Sequence, residues 1–336
     1  MTEPIDYRAL ASTIQIEAAM IPAIIGAAEH SWARIIEARA HLRDLEDDGG
    51  VAIFALGSLG RLEASAASDL DLAILFRDPL TSKSRAEEQR RIAVMRLRGI
   101  GFEVAEKTFA RAQSLDALLA DIGGRMDTSD HLTYRSLVLT EGVSLHSPAT
   151  STAIREALFQ AYTRGPIASG RYLSALGNDL HRYYRTICVD YRFKVEVAGK
   201  GWALRNLKLR HSRKLWHLAN LVLFTWASTL ADDTREAELG AHLGVPPLAR
   251  IAHVLVTENA AALAGPLFIA YERFLAAIAL PKLRTHLDTL PHDRRETSTT
   301  YRELKANADA FDVAAAAIVD HMLRKNRRYL IRFGLL

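Results

Sequence analysis

The chain has 336 residues, of which 49% are hydrophobic, so it is long enough for two ordinary domains with a large buried core. Its net charge of +4 is compatible with a polyanionic ligand but does not require one. A single cysteine excludes an internal disulfide and a thiolate metal cluster, and it favours a reducing compartment.

Neither a leader peptide nor a membrane span is expected. The first residues lack the basic start and apolar run of a signal peptide. The longest apolar stretch, 215–231, contains His217 and Asn220 and is too short and too polar for a span. We therefore expect no membrane contact and a cytoplasmic location.

The strand signals lie in the first half of the chain. Short, largely apolar runs predict buried strands at 51–56, 70–76 and 102–109. Helical patterns flank them at 4–47, 84–98, 114–120 and 130–139. This order predicts a small mixed sheet with helices beside it.

Strand signals disappear after about residue 149. The apolar patterns that follow are helical, at 168–197, 202–231, 248–262, 266–279 and 299–328. The predicted fold is therefore α+β. We expect a leading helical segment at 1–48, a mixed domain at 49–147 and an all-helical domain at 148–336.

The end of the first predicted strand has the features of a phosphate site. Gly57 there would let a phosphate approach the backbone without a Cβ atom in the way. Ser58 offers an N–H and a hydroxyl at a predicted helix N-terminus. Arg61 adds a planar cation suited to phosphate.

The second predicted strand begins with two carboxylates. Residues two apart in a strand point the same way, so Asp69 and Asp71 should share a face, with Leu70 and Leu72 on the other. Two carboxylates that close repel each other unless a cation lies between them. Such oxygen ligands suit Mg²⁺ or Mn²⁺ together with substrate phosphates. Held phosphates and held metals are the two requirements of nucleotidyl transfer.

The joint pattern GSxGRxE at 57–63 and SDxD at 68–71 resembles the signature of the polymerase-β-like nucleotidyltransferase superfamily. Within it, the pattern is similar to the group that contains the uridylyltransferase sensing nitrogen status and related bacterial proteins. The resemblance covers roughly residues 45–145, and the helical half resembles their accessory domains only in class. Leu62 stands where many such proteins have a further glycine.

The resemblance also implies a third carboxylate on a following strand, as metal ligand or proton acceptor. Glu103 and Glu106 are the two choices, and being three apart they cannot both face the site in a regular strand. Glu103 lies between Phe102 and Val104, which repeats the arrangement around Asp71. We predict Glu103, with Glu106 as the alternative.

A basic segment at 200–215 stands out in the helical half. On a helix Arg210 and Arg213 fall near one face, with Lys208 to the side. Lys208 and Arg213 are predicted to bind the triphosphate across the cleft and to neutralise the leaving pyrophosphate. The alternative is a solvated basic face. An RNA acceptor would use the same surface.

The sequence therefore predicts a metal-dependent enzyme that transfers a nucleoside monophosphate from a nucleoside triphosphate to a hydroxyl of a protein or small molecule. One alternative is an enzyme acting on RNA ends, as a tailing enzyme or toxin. Another is a catalytically weak regulatory module that only binds nucleotide. The base, the acceptor and the oligomeric state have no motif in the sequence.

Overall fold

The computed structural model describes residues 4–78, 80–105, 108–163, 171–197 and 201–335. The elements of the first part are α1 (Tyr7–Thr13), α2 (Pro22–Leu42), β1 (Val51–Leu56), α3 (Gly57–Gly60), β2 (Leu70–Phe76), α4 (Lys83–Gly99), β3 (Val104–Ala105), β4 (Gln113–Ser114), α5 (Leu115–Leu119), α6 (Ser129–Glu141), β5 (Val143–His146) and α7 (Pro148–Thr163). The elements of the second part are α8 (Arg171–Glu196), α9 (Trp202–Lys208), α10 (Lys214–Ala227), α11 (Asp232–His242), α12 (Pro247–Thr257), α13 (Ala264–Ala279), α14 (Pro281–Thr289) and α15 (Thr299–Tyr329). The α+β prediction is confirmed, with 72% helix and a small mixed sheet of five strands.

The sheet is built around β1. Its order is β3-β2-β1-β5, and β4 also pairs with β2. β1 is antiparallel to both β2 and β5, whereas β3 runs parallel to β2. Every residue of β1 is buried, as expected for a wholly apolar run in the centre of a sheet. The strand therefore ends at a fixed point, from which the Gly57 loop leaves.

Three features differ from the sequence prediction. The leading helix at 4–47 is interrupted, because Gln15 adopts a φ of 62° and Pro22 begins a new helix. The third strand shrinks to β3, with residues 106–107 outside the described residues. The sequence prediction also missed β5, whose four residues alternate between apolar and polar but follow α6 after a single residue.

Contacts group the chain into two compact units. The first comprises the described parts of Met1–Pro4 and Ala28–Tyr172 together with Leu243–Pro246, and it contains the whole sheet. The second comprises Ile5–Ala27, the described part of Leu173–His242, and the described part of Pro247–Leu336. The domain boundaries expected from the sequence stay predictions.

The second unit has its core along α10, which is buried on nearly every residue and packs against α12 and α15. Arg250 of α12 is fully buried there, and its guanidinium donates to Oδ1 of Asn220 at 2.6 Å. Among the described residues one stretch, Ala261–Ala279, is apolar and long enough to span a membrane. Half of it is buried inside the protein, and a core helix passes the same test, so this is weak evidence for a span.

Candidate active site

Gly57 lies directly after β1, with its backbone against the carboxylate of Asp71. Its φ of 66° is in the left-handed region that favours glycine. A Cβ atom at this position would lie 2.3 Å from Oδ2 of Asp71, well inside van der Waals contact. Any larger residue would displace that carboxylate. The first residue of the motif therefore sets how closely the loop approaches Asp71.

The register of β1 and β2 brings the two aspartates beside this loop. The strands are antiparallel, and Leu56 pairs with Asp71. Asp69 is exposed and Asp71 half-buried, whereas Leu70 and Leu72 are buried. This alternation is that of a strand with one covered face. Both aspartates thus lie on the open side of the sheet edge.

β3 brings Glu103 beside Asp69. Leu70 pairs with Val104, and the Leu70 N–H donates to the carbonyl oxygen of Glu103 at 2.8 Å. Paired residues of neighbouring strands point to the same face, so one step back along both strands sets Asp69 and Glu103 on one face. Glu103 is exposed and Val104 buried, in agreement with this alternation. The alternative, Glu106, lies outside the described residues.

The three carboxylates share a face but are not in close contact. Their oxygens do not all lie within 4.8 Å of one another. The carboxylates of Asp69 and Glu103 have no hydrogen-bond or ion-pair partner among the residues that the structure describes. Their side chains are therefore able to rotate towards a cation that attracts them. The strand register places the three carboxylates on a common face, and the side-chain torsions determine the distances between their oxygens.

Arg61 is buried between two further carboxylates. It is 4% exposed, and its Nε lies 2.9 Å from Oε2 of Glu63. Its Nη1 lies 2.7 Å from Oε2 of Glu141, whose Oε1 accepts the N–H of Gly57 at 2.8 Å. One carboxylate thus holds both the first residue of the loop and the guanidinium. These protein partners differ from the expected phosphate, and contact of Arg61 with phosphate stays a prediction.

No sequence signal marks Glu141, which ends α6 and lies 80 residues after Arg61. The backbone of Gly60 also packs closely against Glu141. A Cβ atom on Gly60 would lie 2.2 Å from the carbonyl oxygen of Glu141 and 3.0 Å from that of Ala55. The end of α6 is therefore the platform on which the loop packs, and the second glycine of the motif permits that approach.

The loop makes one helical turn and then enters the left-handed region. α3 has four residues, with Ser58 half-exposed, so the expected helix N-terminus is that of a single turn. Leu62 has a φ of 59°, and its side chain is 2% exposed. A leucine in this conformation is strained by roughly 1–2 kcal/mol. Burial of the leucine side chain offsets that strain. A glycine at this position would have no backbone strain.

A small pocket of about 260 Å³ opens beside Asp69 and is lined by α2, the turn before β2 and the segment before β3. Arg34 of α2 lies over the ring of Phe102, with Cζ 3.7 Å from the centroid, and donates to the carbonyl oxygen of Ile100 at 3.3 Å. His30 lines the same wall one turn earlier. Pockets that hold whole ligands usually have volumes of roughly 300–1,000 Å³, so this one is smaller than most. The pocket residues on α2 precede the motif, and no sequence pattern predicts that they lie at the site.

Lys208 and Arg213 lie in the second unit and are both half-exposed. Their neighbours belong to an ion-pair group within that unit. Arg210 bonds Asp309 at 2.6 Å, and Lys214 bonds Asp312 at 2.7 Å. The role of Lys208 and Arg213 towards the triphosphate stays a prediction.

Comparison with known proteins supports a nucleotidyltransferase. Residues 10–114 match the model of a family described as "Putative nucleotidyltransferase DUF294". The matched segment contains the Gly57 loop, Asp69, Asp71 and Glu103, and it ends before Glu141. No curated protein matches the chain. The match thus supports a nucleotidyltransferase-like family, and the finer resemblance to the nitrogen-sensing uridylyltransferase stays a prediction.

Proposed function

We propose that this chain is a divalent-metal-dependent enzyme that transfers a nucleoside monophosphate from a nucleoside triphosphate to an acceptor hydroxyl. The observation that carries the proposal is the strand register. It sets Asp69, Asp71 and Glu103 on one face, next to the loop in which Gly57 leaves no room for a Cβ atom beside the Asp71 carboxylate. Acidic ligands beside a glycine loop meet the metal and phosphate requirements of this chemistry.

The donor set fits Mg²⁺ or Mn²⁺. It consists of carboxylate oxygens, which these hard cations prefer, and it contains no imidazole or thiolate. Asp69 is exposed and has no partner among the described residues, so its charge is available to a cation. Asp69, Asp71 and Glu103 would hold the metal. When bound, it would neutralise phosphate charge and favour ionisation of the acceptor hydroxyl.

The remaining groups bind and position the substrate. The backbone N–H and hydroxyl of Ser58 would bind the β- and γ-phosphates, which Gly57 admits to the backbone. We assign Arg61 to bracing this loop through Glu141, because it bonds to the buried carboxylates of Glu63 and Glu141. Lys208 and Arg213 are retained as proposed ligands of the leaving pyrophosphate.

The reaction forms one bond and breaks one. The acceptor oxygen bonds to the α-phosphorus, and the bond from that phosphorus to the bridging oxygen breaks, so that pyrophosphate leaves with the electron pair. The proton of the acceptor hydroxyl passes to Glu103 and then to solvent. The pocket beside Asp69 receives the small group that carries the hydroxyl, which favours a side chain or small molecule as acceptor.

Label transfer tests the proposal. The purified chain is mixed with each α-labelled nucleoside triphosphate, Mg²⁺ or Mn²⁺, and a cell lysate. We expect label on an acceptor with the wild type, loss of at least about 1,000-fold with Asp69→Asn/Asp71→Asn, and loss with a chelator. The matched control is Asp116→Asn, an exposed carboxylate on α5, which should leave transfer unchanged.

The outcomes separate the alternatives. Label on RNA, with binding that weakens steeply as salt rises, would indicate an enzyme acting on RNA ends. Nucleotide binding without product under every condition would indicate a regulatory module. Unchanged transfer in the double variant would overturn the assignment of Asp69 and Asp71.

A further inference from the structure

Three potential metal ligands meet in the second unit, between α11 and α12. Glu238 and His242 lie one turn apart on α11, and His253 lies on α12. One ligand atom from each lies within 4.8 Å of the others. Among the described residues this is the one group of three or more His, Cys, Asp or Glu side chains that meets that distance.

The cluster is arranged by packing as well as by charge. Nε2 of His242 lies 3.2 Å from Oε2 of Glu238. The rings of His242 and His253 lie 3.8 Å apart at their centroids, and Trp226 packs edge-on against His253 at 5.5 Å. The tryptophan and the two helices restrict the positions of the imidazoles. Such restriction lowers the entropic cost of binding an ion.

His253 supplies an independent sign of a missing ligand. Its Nε2 is buried and has no hydrogen-bond partner among the described residues. A buried polar atom without a partner is costly, and native structures usually satisfy it.

We propose that Glu238, His242 and His253 form a Zn²⁺ site that ties α11 to α12. Two imidazoles and one carboxylate are a ligand set that zinc accepts, with water in the fourth position. Ligand atoms of a tetrahedral zinc site lie roughly 3.4 Å apart, given bonds of about 2.0–2.1 Å. The ligand atoms lie within 4.8 Å of one another, so small torsional adjustments of the side chains would be enough to reach that spacing.

The ligand types separate this site from the proposed catalytic one. Imidazole nitrogen selects zinc and similar transition metals, whereas the carboxylates at the sheet edge select Mg²⁺ or Mn²⁺. α11 and α12 are joined by the segment 243–246. Zinc would therefore close a short loop and stabilise the helix pair without entering the transfer reaction.

Metal titration of the full chain tests this site. The parent is Asp69→Asn/Asp71→Asn, in which the catalytic carboxylates no longer contribute, so the result does not depend on the proposed function. We expect one Zn²⁺ per chain by calorimetry and a rise in Tm of about 5 °C at saturating metal, reversed by a chelator. Co²⁺ in place of Zn²⁺ should give the visible absorption of a tetrahedral site.

Ligand variants in the same background decide the assignment. His253→Ala and Glu238→Gln should each weaken Zn²⁺ binding by at least about 100-fold and abolish the rise in Tm. Glu238→Gln changes no volume, so it serves if His253→Ala fails to fold. The matched control is Glu236→Gln, an exposed residue of the same helix, which should bind like the parent. Equal Zn²⁺ binding in all of these variants, or none in the parent, would overturn the proposal.

Discussion

Two sets of carboxylates lie around the same loop in opposite environments. Asp69 and Glu103 are exposed at the sheet edge, and their carboxylates have no protein partner among the described residues. Glu63 and Glu141 are 9% and 1% exposed, and both bond to Arg61. The motif thus combines acids open to a ligand with acids committed to the fold. The same residue type performs two tasks, and burial distinguishes them.

Substitutions of the buried acids and of the exposed acids should therefore have different effects. Removing a buried acid takes away one of the two carboxylates that bond to the buried Arg61 and should cost stability. Removing an exposed acid leaves the fold intact and should cost only activity. The expected effects below run from the largest to the smallest.

Glu141→Ala should lower the free energy of unfolding by about 4 kcal/mol, measured by urea denaturation. It removes one of the two carboxylates that bond to Arg61, leaves Nη1 of that buried guanidinium without this acceptor, and leaves the N–H of Gly57 without its acceptor. Glu63→Gln should cost less, because Arg61 keeps its bond to Glu141. A loss below about 1 kcal/mol for Glu141→Ala would contradict the bracing role.

The site motif could be predicted from the sequence because the residues that define it are determined by local backbone geometry. The alternation of Asp69, Leu70 and Asp71 follows from strand geometry. Glycine at position 57 follows from the close approach of a partner to the backbone, although the neighbour that the structure reveals is Asp71. The β1 and β2 runs were recognisable because both are short and apolar.

The contacts that hold the Gly57 loop in place could not be predicted from local sequence. Glu141 contacts Arg61 across 80 residues, and nothing in a helix C-terminus marks a buried acid. Arg61 alone suits phosphate and carboxylate equally well, because its planar fork bonds both. His30 and Arg34 of α2, which precedes the motif, line the same pocket as Asp69. Tertiary contacts decide such roles, and spacing in the chain does not encode them.

Glu103→Gln should lower the rate of transfer by about 100-fold and leave the Tm unchanged. It removes an exposed carboxylate proposed as metal ligand and proton acceptor. Rates with the labelled triphosphate and thermal unfolding measure the two effects. Glu156→Gln, an exposed acid on α7, is the matched control. An unchanged rate would move the role to Glu106.

Gly57→Ala should lower the rate by on the order of 10- to 100-fold, because the new Cβ atom forces the Asp71 carboxylate to move. The metal concentration for half-maximal rate should rise as well. Gly49→Ala separates this effect from backbone strain, since Gly49 has a φ of 74° and nothing within 4 Å of its Cβ position. Gly49→Ala should lose about 1 kcal/mol of stability and no activity. Equal rates for the two variants would show that the Asp71 contact is unimportant.

Leu62 gives the smallest and most specific test, because its backbone strain and its burial oppose each other. Leu62→Ala removes most of the buried side chain but keeps the strain, whereas Leu62→Gly removes both. Both variants should therefore be less stable than the wild type, yet the glycine variant should be more stable than the alanine variant by about 1 kcal/mol. At Leu59, which is equally buried within α3, the order should reverse, because glycine is the poorer residue in a helical turn. Urea denaturation of the four variants measures both differences, and the same order at both positions would show that the left-handed turn at Leu62 carries no strain.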